Sequence, residues 1–260
     1  MKTLIISGGS SGIGRATALL FAKKGYHVYD LSRHGVIGDG ITHIFCDVTD
    51  EQSCIDAVNE VLRHEQRLDV VISNAGFGIS GPTEFTTTAD AKHLFDVNFF
   101  GAFNLAKAVL PTMRQQRGGR LLFTSSVAGL LPVPYQAFYS ASKAAVNALA
   151  LTLQNEVRPF GIKVACLLPG DVSTGFTDAR EKSIKGSDIY LNANSAVEAM
   201  EKDERNGMKP DKMANILYRM ATTRYLHSFY IGGFSYRLLC LAAKLLPVSL
   251  VNRIEGKMYS

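Results

Sequence analysis

Cysteine is scarce in this sequence, and the four present, Cys46, Cys54, Cys166 and Cys240, include no Cys-x-x-Cys pair. That spacing excludes a zinc knuckle, and the apolar neighbours of Cys46 and Cys166 mark reduced thiols in core positions. His34, His43, His64, His93 and His227 have no partners at ligand spacing and His27 opens a strand, so no metal site is expected. No stretch is long and uncharged enough to span a bilayer. Met1-Lys2-Thr3 runs straight into a strand-like segment with no secretory leader, which points to a cytoplasmic protein. Charge of one sign is not concentrated: 28 Lys and Arg are interleaved with 23 Asp and Glu, for a net charge of +5. With no zinc spacing and no aromatic RNA-binding motif beside that charge, nucleic acid is not an expected partner. Repeats and low-complexity segments are also missing.

What remains is a chain of 260 residues, 47% hydrophobic, long enough to bury the core of one α/β domain. Short apolar runs at 3–7, 27–32, 43–46, 69–73, 120–125 and 162–167 read as buried strands. Helical periodicity begins near Gly12, Glu51, Asp90, Phe100, Ala137 and Lys209. Strands alternating with helices predict a Rossmann-type doubly wound parallel sheet in a three-layer α/β/α single domain spanning 1–260. Two connections break the pattern. Residues 33–40, with three glycines, are too few for a crossover helix. Residues 175–206 are long and mixed in character, as a lid or substrate wall at the carboxyl end of a sheet would be.

Two motifs carry chemistry. Tyr139 and Lys143 stand four apart before an alanine-rich run, on one face of a helix. A phenol near neutrality needs a neighbour that favours phenolate if it is to act as acid or base, and an ammonium does this. Upstream, the first strand ends in Ser7-Gly8-Gly9-Ser10-Ser11-Gly12-Ile13-Gly14 and enters a helix. Glycines then sit where backbone must approach a ligand, and helix amides point outward to phosphate. The same residues also read as Gly8-x-Ser10-x-Gly12, a nucleophile elbow with Ser10 attacking, although such an elbow normally follows several earlier strands.

Taken together these residues resemble the classical short-chain dehydrogenase/reductase family, in matching order from Ser7 to about Thr174. Gly8, Gly12 and Gly14 match its glycine-rich turn, in which Ser10, Ser11 and Ile13 also lie. Asp47-Val48 matches the pair that contacts adenine, and Asn74-Ala75-Gly76 its sheet-stabilising element. Asn98, Ser126, Tyr139 and Lys143 match its catalytic tetrad, and Pro169, Gly170, Val172 and Thr174 the segment that closes over the nicotinamide. The resemblance implies that Tyr139 exchanges a proton with the substrate oxygen while the nicotinamide moves a hydride. It further implies that Lys143 lowers the phenol pKa and binds the nicotinamide ribose, that Ser126 stabilises charge on the oxygen, and that Asn98 holds a water linking Lys143 to solvent. In the pattern of the family it resembles, the spacing to Tyr139 favours Ser126 over Ser125.

Cofactor choice rests on the end of the second strand, where an acid would accept from the ribose 2′-hydroxyl and repel a 2′-phosphate. Ser32 aligns there and Arg33 follows, which favours NADP(H). NAD stays as the alternative, because Asp30 lies two residues away on the same strand face. The ending common in bacterial 3-oxoacyl-carrier-protein reductases is missing. Instead, residues 226–231 read as a last strand and 234–256 as an apolar C-terminal helix, similar to hydroxysteroid, retinol and acyl-dihydroxyacetone-phosphate reductases. Two roles compete for that helix: packing that walls an apolar cavity, which is favoured, and peripheral contact with a membrane. The expected activity is reversible interconversion of a ketone or aldehyde and an alcohol on a hydrophobic substrate. A 3-oxoacyl-thioester reductase and a non-enzymatic dinucleotide sensor or scaffold are the alternatives. Helices near 106–117 and 137–158 could pair in a homodimer, as the family resemblance implies.

Overall fold

The first strand, β1 (Lys2–Ser7), is buried at every position but its first, as a strand covered on both faces must be. The computed structural model describes residues 1–35, 38–182, 186 and 188–258. After β1 come α1 (Gly12–Lys23), β2 (Tyr26–Ser32), β3 (Ile41–Phe45), α2 (Glu51–His64), β4 (Val70–Ser73) and a short β5 (Ile79–Ser80). Next are α3 (Thr88–Phe95), α4 (Gly101–Gln115), β6 (Gly119–Thr124), α5 (Ala137–Glu156), β7 (Ile162–Pro169) and a second short strand, β8 (Glu181–Lys182). The chain closes with α6 (Ala193–Arg205), α7 (Pro210–Thr222), β9 (Phe229–Gly232), α8 (Phe234–Leu245) and α9 (Val248–Met258).

Among the described residues, seven strands form one parallel sheet in the order β3-β2-β1-β4-β6-β7-β9. The sheet grows outward from β1 to β3, then reverses to β4. At such a reversal the two connections leave on opposite faces and open a crevice at the carboxyl ends of the strands. Alternation along β1 sends Ile5 into one core, with Leu105, Met113 and Phe123, and Leu4 and Ile6 into the other, with Phe21, Leu217 and Met220. Local signals set the helix starts. The Asp50 carboxylate accepts from the Gln52 amide to open α2, and the Thr87 hydroxyl accepts from the Asp90 amide to open α3.

Strand and helix positions follow the apolar runs to within a few residues, and the last strand lies at Phe229–Gly232. No helix lies between β2 and β3 among the described residues, Val36 and Ile37 being outside them. The long segment 175–206 is not simply a loop: it contributes β8, which pairs in parallel with β5, and the amphipathic α6. Residues 183–185 and 187 of that segment lie outside the described residues. The single C-terminal helix expected over 234–256 is instead two. Leu246 turns extended at ψ 151° before Pro247, since the residue preceding proline is pushed out of the helical region and proline has no amide to donate.

Phe21 anchors the α1–α7 side, its ring edge-on to Tyr26 at 4.9 Å and to Tyr218 at 5.3 Å between centroids. Phe21→Ala should therefore destabilise the fold by about 3–5 kcal/mol in chemical denaturation. Turnover by the molecules that remain folded should be unchanged, because Phe21 does not line the crevice.

Candidate active site

The crevice holds a cavity of about 690 Å³. At one end is the glycine turn. Gly8 and Gly12 have φ of 66° and 52°, the left-handed region that glycine alone enters freely. A Cβ on Gly14 would lie 2.0 Å from the Gly8 carbonyl oxygen, so that residue must be glycine for α1 to start against the turn. Ser11 caps α1 without a side-chain hydrogen bond, which leaves first-turn amides for an external anion. The turn is clamped from β4: the Ser7 hydroxyl accepts from the amides of Asn74 at 2.9 Å and Ala75 at 3.1 Å, and Asn74 Nδ2 donates to the Gly8 carbonyl at 3.3 Å. This cradle has the backbone approach and donor set that a dinucleotide pyrophosphate needs.

The strand-parity question at β2 has a geometric answer. Asp30 is 1% exposed and faces under the turn, accepting from the Gly9 amide at 2.7 Å and the Ser32 hydroxyl at 2.8 Å. It does not line the cavity, whereas Ser32, Arg33 and His34 do. Asp47 lines the same end. Burial would raise its pKa, but the hydrogen bonds from the Thr49 amide and hydroxyl, with the charges of Arg33 and His93, bring it below the usual carboxylate value.

Tyr139 stands in the first turn of α5 and Lys143 one turn on, with Nζ 5.7 Å from the phenol ring centroid. Lys143 is 4% exposed and donates to the Thr124 carbonyl at 3.0 Å. Burial pulls its pKa down to about 8. Burial pushes the Tyr139 phenol up to about 12; a hydrogen bond with Ser126 works the other way, and the carboxylates of Glu204 and Asp171 add to the rise. Desolvation is the largest cause of that shift, and the lowering expected from Lys143 is not among its causes. Ser126 Oγ also accepts from the Ala128 amide at 3.1 Å, while Ser125 Oγ donates to the Lys143 carbonyl at 3.1 Å. Ser125 therefore ties the strand end to α5, and Ser126 faces the phenol.

Asn98 lies in a π-helical turn, Asp96–Phe100, that joins α3 to α4. Its side chain is fully engaged: Oδ1 accepts from the Phe77 amide at 3.0 Å, and Nδ2 donates to the Phe77 carbonyl at 3.0 Å and to Ser142 Oγ at 3.1 Å. Of the predicted site residues, Asn98 and Gly14 stand behind the cavity wall; Pro169, Gly170, Val172, Thr174, Val48, Gly76 and the others line it. Gly76 leaves room there, for its Cβ would come within 3.4 Å of Lys143 Nζ.

Several lining or supporting residues carry no motif and went unread in the sequence. Phe176 puts its ring 5.7 Å from that of Tyr139, and Arg180 stacks on Phe176 at 5.6 Å. The Arg180 guanidinium is ion-paired with Glu204, which also accepts from the Thr177 hydroxyl at 2.7 Å, and Lys182 pairs with Glu201 at 2.5 Å. These contacts pin residues 176–182 to α6, while the Glu181 amide bonds the Gly78 carbonyl at 3.0 Å. Asp171 accepts from the Tyr236 hydroxyl, and burial still raises its pKa. Helical spacing in 193–205 was the one available signal, and it says nothing of what the helix covers.

An α/β sheet with a glycine-lined phosphate cradle and a phenol–ammonium–hydroxyl cluster defines a dinucleotide-dependent oxidoreductase. Comparisons with known proteins agree. The short chain dehydrogenase family profile matches residues 2–185. A 3-ketodihydrosphingosine reductase of Bacteroides thetaiotaomicron is 39% identical over 227 residues, covering 86% of this chain and 84% of that protein. A short-chain dehydrogenase from Streptomyces avermitilis superposes with a TM-score of 0.85 at 29% identity, over 99% of this chain and 96% of that one. ElxO, solved with NADP bound, has a TM-score of 0.76 at 25% identity, over 91% and 99%. The chain belongs to the short-chain dehydrogenase/reductase family and is an oxidoreductase acting on CH–OH groups. The elbow reading of Ser10 falls away with that membership.

Glu204 is the hinge of the wall beside Tyr139. Glu204→Ala should leave the Arg180 charge buried and uncompensated, and cost about 3–5 kcal/mol of stability by thermal or chemical denaturation.

Proposed function

We propose that this protein reduces a ketone on a long apolar chain with NADPH, Tyr139 giving the proton. The observation that carries the reading is geometric: the Tyr139 phenol, which burial pushes up to about 12, bonds Ser126 beside an apolar wall of Leu131, Val133, Phe176, Met200 and Leu239. The relative named for 3-ketodihydrosphingosine supports a long-chain ketone. Bound NADPH would supply the hydride, held by the turn from Gly8 to Gly14, by Asp47 and Val48 at the adenine, and by the segment from Pro169 to Thr174.

In this reading, Ser126 donates to the substrate oxygen and steadies the charge that grows there, while Tyr139 delivers its proton to the same atom. Lys143 supplies positive charge beside the phenol and a donor for the nicotinamide ribose. The Asn98 side chain is committed to Phe77, so a relay water would fall to a main-chain carbonyl released by the π turn. Arg33 grips the 2′-phosphate, a role supported by the withdrawal of Asp30 beneath the turn. Residues 175–206 act as a substrate wall. Phe100, Phe103 and Leu151, exposed around α4 and α5, support a homodimer through those helices.

Arg33→Ala should weaken NADPH binding by about 10- to 100-fold and leave NADH nearly unchanged in fluorescence titrations. Tighter binding of NADH by the unaltered protein would overturn the cofactor assignment.

Tyr139→Phe should lower turnover of a long-chain ketone by about 10²–10⁴-fold with NADPH affinity retained. Lys143 is charged below its pKa and neutral above it, so kcat/KM for reduction should hold steady up to about pH 8 and fall beyond. A clear preference for a 3-oxoacyl thioester in the same assay would move the substrate to that class.

A further inference from the structure

We infer that α8 and α9 form a docking surface for an anionic phospholipid bilayer. On α8, Phe234, Leu238, Leu241 and Leu245 follow at steps of four, three and four, which places them on one helix face, and all are exposed. The opposite face, with Tyr236, Leu239, Cys240 and Ala243, packs into the core. Beyond Pro247, Val248, Leu250 and Ile254 are also exposed. Exposure reaches 75% at Phe234, 80% at Leu245 and 83% at Val248, and eight of the seventeen large apolar residues exposed among those described fall between 234 and 254. An apolar concentration of that kind calls for a partner.

Charge selects the partner. Between 234 and 258 the basic residues Arg237, Lys244, Arg253 and Lys257 are all exposed. The one acid, Glu255, is 7% exposed and lines the cavity instead. An apolar surface with exposed cations on the same two helices, and its carboxylate turned inward, matches an interface of acyl chains under anionic headgroups. No helix among the described residues is long and apolar enough to cross a membrane, so the unit lies on the surface. Its inner face, through Tyr236, Leu239 and Glu255, is a wall of the substrate cavity. Resting on the long-chain ketone reading, this shared wall makes the bilayer the source from which substrate reaches Tyr139.

Flotation of the full-length protein with vesicles of phosphatidylglycerol and phosphatidylcholine in equal parts tests the docking without reference to activity. The protein should float, more weakly with phosphatidylcholine alone, and Leu245→Ser combined with Val248→Ser should reduce binding by at least about tenfold. Arg253→Glu should also reduce it. Failure of the unaltered protein to float, or equal flotation of the double variant, would overturn the proposal. So would a wild-type dimer that the double variant splits to monomers with no vesicle binding, which would make the face a contact between two copies. For delivery, the double variant should lose turnover of a long-chain ketone presented in vesicles and keep that of a short water-soluble ketone. Unchanged turnover of the vesicle-borne ketone would overturn delivery alone. If neither ketone is reduced by the unaltered protein, the reductase reading fails while flotation still decides the docking.

Discussion

Everything at the crevice depends on the seam between the ends of β1 and β4. One hydroxyl, Ser7, accepts two backbone amides from Asn74 and Ala75, and Asn74 returns a hydrogen bond to the Gly8 carbonyl. These bonds lie at the sheet's reversal, where the two strands have no connecting loop to hold their ends in register. From below, Asp30 takes the Gly9 amide. The turn is thus fixed from two sides by buried bonds, which cost more to break than exposed ones because the orphaned groups cannot turn to water. A fixed turn makes the phosphate cradle rigid, and a rigid cradle sets where a cofactor can lie relative to α5.

The cluster on α5 illustrates how burial decides charge. Tyr139 and Lys143 share an environment that disfavours both charged forms, raising the phenol and lowering the ammonium. Their pKa values start close together and are driven apart, the phenol up to about 12 and the ammonium down to about 8. The lysine is within reach of neutrality at mildly alkaline pH, while the phenol keeps its proton. Around them, Glu204 and Arg180 place opposite charges on the wall that carries Phe176, so the segment beside the phenol also tunes its pKa.

The C-terminal pair of helices packs on its inner side and, in the proposed docking, meets a bilayer with its outer side. Packing and membrane contact stood as rivals for this apolar tail, yet a helix has two sides, and α8 is apolar on both. Pro247 is what makes this arrangement fit: it folds the tail back, so Val251 and Glu255 of α9 face inward while Val248 and Ile254 face out.

Much of this molecule was legible in its residues. Buried parallel strands are continuous apolar runs, and the glycines of the turn and the Tyr139–Lys143 spacing are local patterns, so the sheet, the cradle and α5 could be read in order along the chain. Whether Asp30 meets a ribose or supports the turn could not be read so, because it depends on which side chains lie above the strand end. The same holds for the hold of Glu204 on Arg180 twenty-four residues away, and for the two faces of α8. Local sequence determined the elements and the chemistry they carry, since propensity, periodicity and glycine geometry act over a few residues. Only the tertiary structure decided burial and pairing, because desolvation and ion pairing are set by neighbours distant in the chain.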